Sequence, residues 1–455
     1  MQLKKEIGLL AGISLLSGIM IGSGIFFFGT VVFGLASNSL GLSLLAWILG
    51  GLVTLVSALS YAELGTMFPK TGGYYVYLRE AYGKPIAFLS GWMNFFLSSS
   101  GSITTLAYLF SLIFVRFILG LDASLVRWVA AGIIIIFAII NYIGVKVGSW
   151  TQIVFTIVKF IPILIIIGLG LFLGDQSVNL SLTPAEPLAP SVILSGLTFA
   201  IARTLFAYEG WTNLNTVAGE MKNVKRDLPR ALIISVLLVM GVYILFIVAL
   251  YRIVPINTLI DQVPNGVDNQ TIFIAVNTAL NGDYSLYVML AIVISILGAT
   301  NGSMLAFPRV FYAMALDGTM PKQFGRTSKF GTPDVAIIGT TVVAIALLLF
   351  DIDALLTFVL FPALIFNTLI FISIFIFRKK RPDIPRPYRV YGYPFVPALA
   401  IVGMLILLVT TIINSLIPSL IGIGILLVGF IVYPFIFPKE RAQYFASIKK
   451  FFKRK

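Results

Sequence analysis

The sequence predicts an all-α membrane protein of twelve transmembrane helices, built as two five-helix repeats of opposite orientation with two further helices after them. Three observations predict it. Of 455 residues, 59% are hydrophobic and 11% charged, with a mean hydropathy of +1.01, whereas soluble domains carry about 25% charged residues. Apolar runs long enough to span a bilayer, about 20 residues each, recur along the chain. Two of these runs, the first and the sixth, are interrupted mid-span at corresponding places.

The runs begin near Ile7, Gly41, Lys84, Ser124, Ser149, Ser191, Pro229, Tyr284, Asp334, Ala354, Pro394 and Pro418. An even count puts both termini on one side, and charge says which side. Of the 32 Lys and Arg residues, only Arg116, Arg127 and Arg252 fall on the opposite face, while Lys159 and Arg203 lie within spans. The excess of positive charge makes the termini cytoplasmic. It also accounts for the net charge of +14 without a nucleic acid. Residues 7 to 36 are too long and too rich in glycine for a cleavable signal.

Cysteine and histidine are both absent. This excludes thiolate and imidazole metal sites, cysteine nucleophiles, Ser-His triads and disulfides. Neither metal, cofactor nor enzymatic activity is expected. The only Gly-Lys dipeptide, Gly83-Lys84, precedes Pro85 and lacks a P-loop context, so nucleotide-driven transport by this chain alone is not expected.

In the first run, Ile21-Gly22-Ser23-Gly24-Ile25-Phe26 separates two apolar halves. Glycine destabilises a helix interior by roughly 1 kcal/mol relative to alanine, and serine competes for backbone hydrogen bonds. Unwinding here would free amides and carbonyls at the bilayer midplane, which is tolerated only around a protected cavity. An amino acid zwitterion would satisfy both kinds of group. The competing reading is a small-residue packing face through Gly18 and Gly22 with no unwinding.

Lys159 sits deep in the apolar run from Ile153 to Phe172. A lysine at that depth costs roughly 2.5 kcal/mol or more on insertion scales, so it should face the protein interior and find partners. Carbonyls exposed by an unwound first helix would serve. In the sixth run, Thr204-Leu205-Phe206-Ala207-Tyr208-Glu209-Gly210-Trp211-Thr212 places an acid before glycine in mid-span. Two discontinuous segments, each roughly 16 to 19 residues into its own run, point to a transporter site between inverted repeats. Arg203 and Glu209 either pair across the break, or Arg203 reaches the outer vestibule while Glu209 faces the site. The division expected is residues 1–175 for the first repeat, 176–380 for the second, 381–438 for two added helices, and 439–455 for a basic cytoplasmic tail.

Softer signals complete the pass. Phe68-Pro69-Lys70-Thr71-Gly72-Gly73 reads as a tight cytoplasmic loop, with Tyr74 and Tyr75 suited to the interface. Residues 218–230 form a charged connector. Residues 255–283 are polar, with a short helix expected over 270–280. Gly298-Ala299-Thr300-Asn301-Gly302-Ser303 gives the eighth run a small, polar face.

Taken with Ala62-Glu63-Leu64-Gly65, Gly219-Glu220-Met221-Lys222-Asn223, Arg309, Tyr312-Ala313 and Gly318, these motifs stand in an order that resembles the amino acid, polyamine and organocation (APC) superfamily. Within it the chain is similar to bacterial relatives of the L-type amino acid transporters, the serine/threonine and alanine/serine/cysteine exchangers. The resemblance implies a leucine-transporter-like 5+5 inverted repeat, with helices 1 and 6 broken and alternating access. It implies that the amides of Ser23 and Gly24 hold the substrate carboxylate and carbonyls around Ile21 and Phe206 take the ammonium, with Gly22, Ala207 and Tyr208 part of the same site. Phe206 matches an aromatic gate. Lys159 matches a lysine that replaces sodium and bridges helices 1 and 8. Glu209 and Thr212 fall where side-chain selectivity is expected. Departures from the family pattern are Phe27-Phe28-Gly29, Val224 and Arg203. The function implied is sodium-independent exchange of small or medium neutral L-amino acids in the plasma membrane of a bacterium. The alternatives are proton-coupled symport, or exchange that accepts cationic amino acids through Glu209. With no cysteine, a disulfide-linked heavy chain is excluded, and the transporter is expected to work as a monomer.

Overall fold

The first apolar run folds as two helices, α1 (Leu9–Met20) and α2 (Gly24–Leu35), whose axes bend by 48°. In this computed structural model, which describes residues 7–437 apart from 23, 185–186 and 269, the chain continues through α3 (Leu40–Met67) and the short α4 (Tyr74–Tyr82). The third run is built of α5 (Lys84–Met93), a π-helical turn (Asn94–Ser98), α6 (Ser99–Leu112) and a second π-helical turn (Ile113–Ile118). Then come α7 (Val126–Ile143) and α8 (Val145–Leu173). The sixth run breaks as the first does, into α9 (Pro190–Ala207) and α10 (Asn213–Thr216). After it follow α11 (Val224–Ile253), two short helices α12 (Ile256–Gln262) and α13 (Thr271–Leu280), α14 (Ser285–Ala306) and α15 (Pro308–Leu316). The chain closes with α16 (Asp334–Leu347), α17 (Ile352–Lys380), α18 (Phe395–Asn414) and α19 (Leu416–Ile436).

A helix lies at each of the twelve expected starts, but the number of full spans is lower. Among the described residues, ten helical segments are long and apolar enough to cross a membrane, and the bent pair α1–α2 makes up to eleven. The shortfall is α16, an apolar helix of 14 residues. At about 1.5 Å per residue it reaches about 21 Å, short of a hydrocarbon core of about 30 Å. Pro333 precedes it and Asp351 caps the next helix through the Ala354 amide at 2.8 Å, so neither end has chain to spare.

Helix α1 is packed among α8, α11 and α14, while α2 lies against α9. The broken segments therefore sit inside the helical body. The outer faces of α7, α8, α18 and α19 carry exposed Ile136, Ile157, Val402 and Ile431, an apolar surface stable only against hydrocarbon. The short helix expected over 270–280 is present as α13. Tyr74 and Tyr75 are not interfacial: both are buried, and the Tyr75 hydroxyl meets the Thr319 hydroxyl at 2.6 Å. The correction follows from α4, which folds back under the body after the positive-φ pair Gly72 and Gly73 and carries both rings inward. The basic tail beyond residue 438 lies outside the described residues.

Along the basic face several contacts tie the broken helices shut. The Gly72 amide donates to the Thr216 carbonyl at 2.9 Å, and the Ile7 amide to the Glu220 carbonyl at 3.0 Å. Glu220 is buried in an ion pair with Arg309 at 2.7 Å. Glu63, 1% exposed, takes two bonds from Arg378 and the Val390 amide at 2.7 Å, so α3 is clamped to the end of α17 and the loop after it.

Candidate substrate site

At the end of α1 the helical ladder stops at Ile21, whose φ of −79° and ψ of 82° take the chain out of the helix. The chain restarts at Gly24. First-turn amides of a helix have no acceptor inside it, so the amides of Gly24 and Ile25 open α2 as free donors. The two broken runs touch at this point. A Cβ on Gly24 would lie 2.6 Å from the Ala207 Cα, and one on Gly210, whose φ is +114°, would lie 2.6 Å from Ile19 Cγ2. Only glycine permits that approach at these two positions. The run is unwound, as the first reading expects, and Gly18 and Gly22 nevertheless pack closely on Thr156 and Ala299.

The carbonyls freed by the first break are taken by side chains of the surrounding helices. Lys159, 0% exposed, donates from Nζ to the carbonyls of Gly18 and Ile21, each at 2.6 Å. Ser295 Oγ donates to Ile21 and Gly22 at 3.2 and 3.1 Å. The lysine also meets α14, the eighth apolar run, because a Cβ on Gly298 would lie 3.1 Å from its Cε. The Tyr243 hydroxyl lies within hydrogen-bond distance of the Met20 carbonyl at 2.7 Å and the Ala207 carbonyl at 2.9 Å, joining the two breaks.

Three cavities lie in series along the break. An outer one of about 180 Å³ is lined by Arg203 and Phe206. A central one of about 40 Å³ is lined by Gly22, Gly24, Phe206, Ala207, Glu209 and Asn213. An inner one of about 30 Å³ is lined by Tyr61, Asn94, Glu209 and Thr212. Phe206 is shared by the first two, and its ring stands edge-on to Phe28 at 5.5 Å, so it forms the wall between them. Glu209 is shared by the second and third. It makes no ion pair among the described residues.

Of the expected site residues, Gly22, Gly24, Phe206, Ala207, Glu209 and Thr212 are brought together around the cavities. Ser23 lies outside the described residues. The Ile21 carbonyl is held by Lys159 and Ser295, so the structure spends it inside the protein. Tyr208 points away from the cavities: its hydroxyl bonds the Trp47 carbonyl at 3.2 Å and its ring packs on Tyr243. Arg203 and Glu209 do not pair, because Phe206 separates the outer cavity from the central one. The acid that acts on Arg203 is Asp353, at the start of α17.

A family model described as amino acid permease matches residues 7–443. The chain belongs to the amino acid permease family. Among relatives, it is 35% identical over 438 residues to the serine/threonine exchanger SteT of Bacillus subtilis, covering 95% of this chain and 96% of that protein. It is 31% identical over 419 residues to the b(0,+)-type amino acid transporter 1 of Mus musculus, covering 91% and 84%. It is 30% identical over 439 residues to the Asc-type amino acid transporter 1 of Homo sapiens, covering 94% and 80%. This permease is therefore a multi-span membrane transporter of the APC superfamily and not an enzyme.

Sequence reasoning missed several residues of this permease site. Tyr243 and Ser295 are isolated polar groups deep in the apolar runs of α11 and α14, and that isolation was the available signal. Asn94 and Ser98 reach the inner cavity from a π-helical turn. Such turns gather at functional sites, but nothing in the local sequence marks one.

Proposed function

We propose that this permease is a sodium-independent exchanger of small or medium neutral L-amino acids working by alternating access. The observation that carries the reading is the Lys159 ammonium on the Gly18 and Ile21 carbonyls, beside the cavity that both broken runs line. A fixed cation occupies carbonyls that would otherwise be free to ligate a mobile one, so no sodium ion is required there. The amides at the start of α2 hold the carboxylate, aided by the positive end of the helix. The ammonium goes to the carbonyls at the end of α9, the Phe206 carbonyl among them, which accepts the Glu209 amide at 3.0 Å and keeps a second lone pair, and the side chain points towards Glu209 and Thr212. Phe206 closes over the bound molecule.

The helices group as an inverted 5+5 repeat, 1–5 and 6–10, with both termini in the cytoplasm of a bacterial cell and the chain acting as a monomer without a heavy chain. Exchange follows because an empty carrier must carry unsatisfied broken-helix groups through the occluded state, which is unfavourable. Glu209 favours a second substrate class, cationic amino acids, since its carboxylate lines two cavities and has no ion-pair partner among the described residues. The test is uptake of labelled alanine, serine, leucine and arginine into sodium-free proteoliposomes. Uptake that requires internal amino acid supports exchange. Uptake into empty vesicles that follows an imposed pH gradient overturns it in favour of proton symport.

A further inference from the structure

We propose that the outer cavity is a second amino acid site, in which Arg203 holds the carboxylate of a zwitterion before it passes Phe206. The proposal rests on the amino acid transport reading above and adds a site to it. Among the described residues, Arg203 makes no hydrogen bond and no ion pair, although it sits one helical turn outward of Phe206, within a span. Asp353 acts on it only from beyond ion-pair distance. A guanidinium left with its donors unspent at that depth is expensive, and a planar, bidentate carboxylate matches its fork.

The opposite wall has the complementary chemistry. Thr410 and Thr411 donate their hydroxyls to the Leu407 carbonyl at 3.0 and 2.7 Å, and Thr357 donates to the Asp353 carbonyl at 3.0 Å. The Asn414 amide nitrogen donates to the Thr410 carbonyl at 2.6 Å. Because the threonine hydroxyl hydrogens are spent inside their own helices, those hydroxyls are left with acceptor lone pairs, and Asn414 adds its carbonyl oxygen. A ring of acceptors across from a lone guanidinium fits an ammonium and a carboxylate on one small molecule, and fits an inorganic anion poorly. At about 180 Å³ the cavity is larger than the central one of about 40 Å³, so an amino acid is accommodated outside the gate while the inner path is closed.

The experiment is equilibrium binding of radiolabelled L-serine to the purified full-length chain in phospholipid nanodiscs, for the wild type, Arg203→Ala and Arg203→Lys. The expected result is two serines per wild-type chain, one per Arg203→Ala chain, and for Arg203→Lys a second site weakened roughly tenfold by loss of the bidentate contact. Unlabelled alanine should displace the Arg203-dependent serine. One serine per wild-type chain, or two per Arg203→Ala chain, overturns the proposal. So does displacement of the Arg203-dependent label by inorganic phosphate but not by alanine, which would assign the guanidinium to an inorganic or lipid phosphate. Serine counterflow measured on the same preparation separates this from the exchange reading. A wild type that binds two serines yet shows no counterflow sinks exchange and keeps the second site.

Discussion

The two broken runs share a geometry and differ in how their freed groups are satisfied. At the first break, carbonyls are covered by protein donors: Lys159 Nζ, the Ser295 hydroxyl and the Tyr243 hydroxyl. At the second, the Phe206 and Gly210 carbonyls accept backbone amides of Glu209 and Asn213 at 3.0 and 3.1 Å, Tyr243 reaches across to the Ala207 carbonyl, and the acid Glu209 is left facing two cavities. One break is a fixed framework and the other is where specificity can vary. The difference follows from position. Helix α1 is surrounded by α8, α11 and α14, whose polar side chains can reach it, whereas α9 packs on α2, α3 and α18 and its broken end meets the cavities.

The largest effect should come from removing the framework's lysine. Lys159→Ala should lower exchange flux by about tenfold, since it removes two hydrogen bonds, each worth about 0.5–1.5 kcal/mol. The detergent-extracted protein should remain monodisperse by gel filtration. Flux at the wild-type level would remove Lys159 from the transport cycle and erase the contrast.

Gly24→Ala tests whether the two runs must touch. Its methyl would meet the Ala207 backbone at 2.6 Å, and overpacking of this kind costs about 1–3 kcal/mol. A lower melting temperature together with weaker serine binding is expected; a variant that melts and binds like the wild type would mean that the close approach is dispensable.

Tyr243→Phe keeps the ring and removes the hydroxyl that joins the breaks. A loss of about 1–2 kcal/mol in stability is expected, read as a shift in the thermal melt. No shift would show that the Met20 and Ala207 carbonyls find water instead.

The smallest effect on stability, and the most specific on function, belongs to Glu209→Gln. The melt should move little, by about 0.5 kcal/mol or less. The ratio of arginine to leucine uptake should fall, because the charge and not the shape is removed. An unchanged ratio would take Glu209 out of substrate selection and leave the second break as inert as the first.

Much of this was legible in the sequence. Helical breaks at Ile21–Gly24 and Ala207–Gly210, the inward lysine and the short helix over 270–280 follow from residue type and spacing. Tyr208 was not legible as a residue that turns its back on the cavities, because its direction is set by Trp47 on another helix. The Ile21 carbonyl was expected to meet substrate, yet its partners come from residues 138 and 274 positions away in the chain. The choice between pairing Arg203 with Glu209 and separating them was open in the sequence, and the ring of Phe206 separates them.

The sequence by itself determined that this chain lives in a membrane, that it is helical, and that its first and sixth spans break, because hydropathy and helix propensity are local properties. It also determined the family, through motifs that keep their order along the chain. Only the tertiary structure decided which donors satisfy the broken backbone, which side chains meet in the cavities, and that α16 falls short of a full span. Hydrogen bonds and cavities are made by residues far apart in the chain, and their pairing is set by how the helices pack.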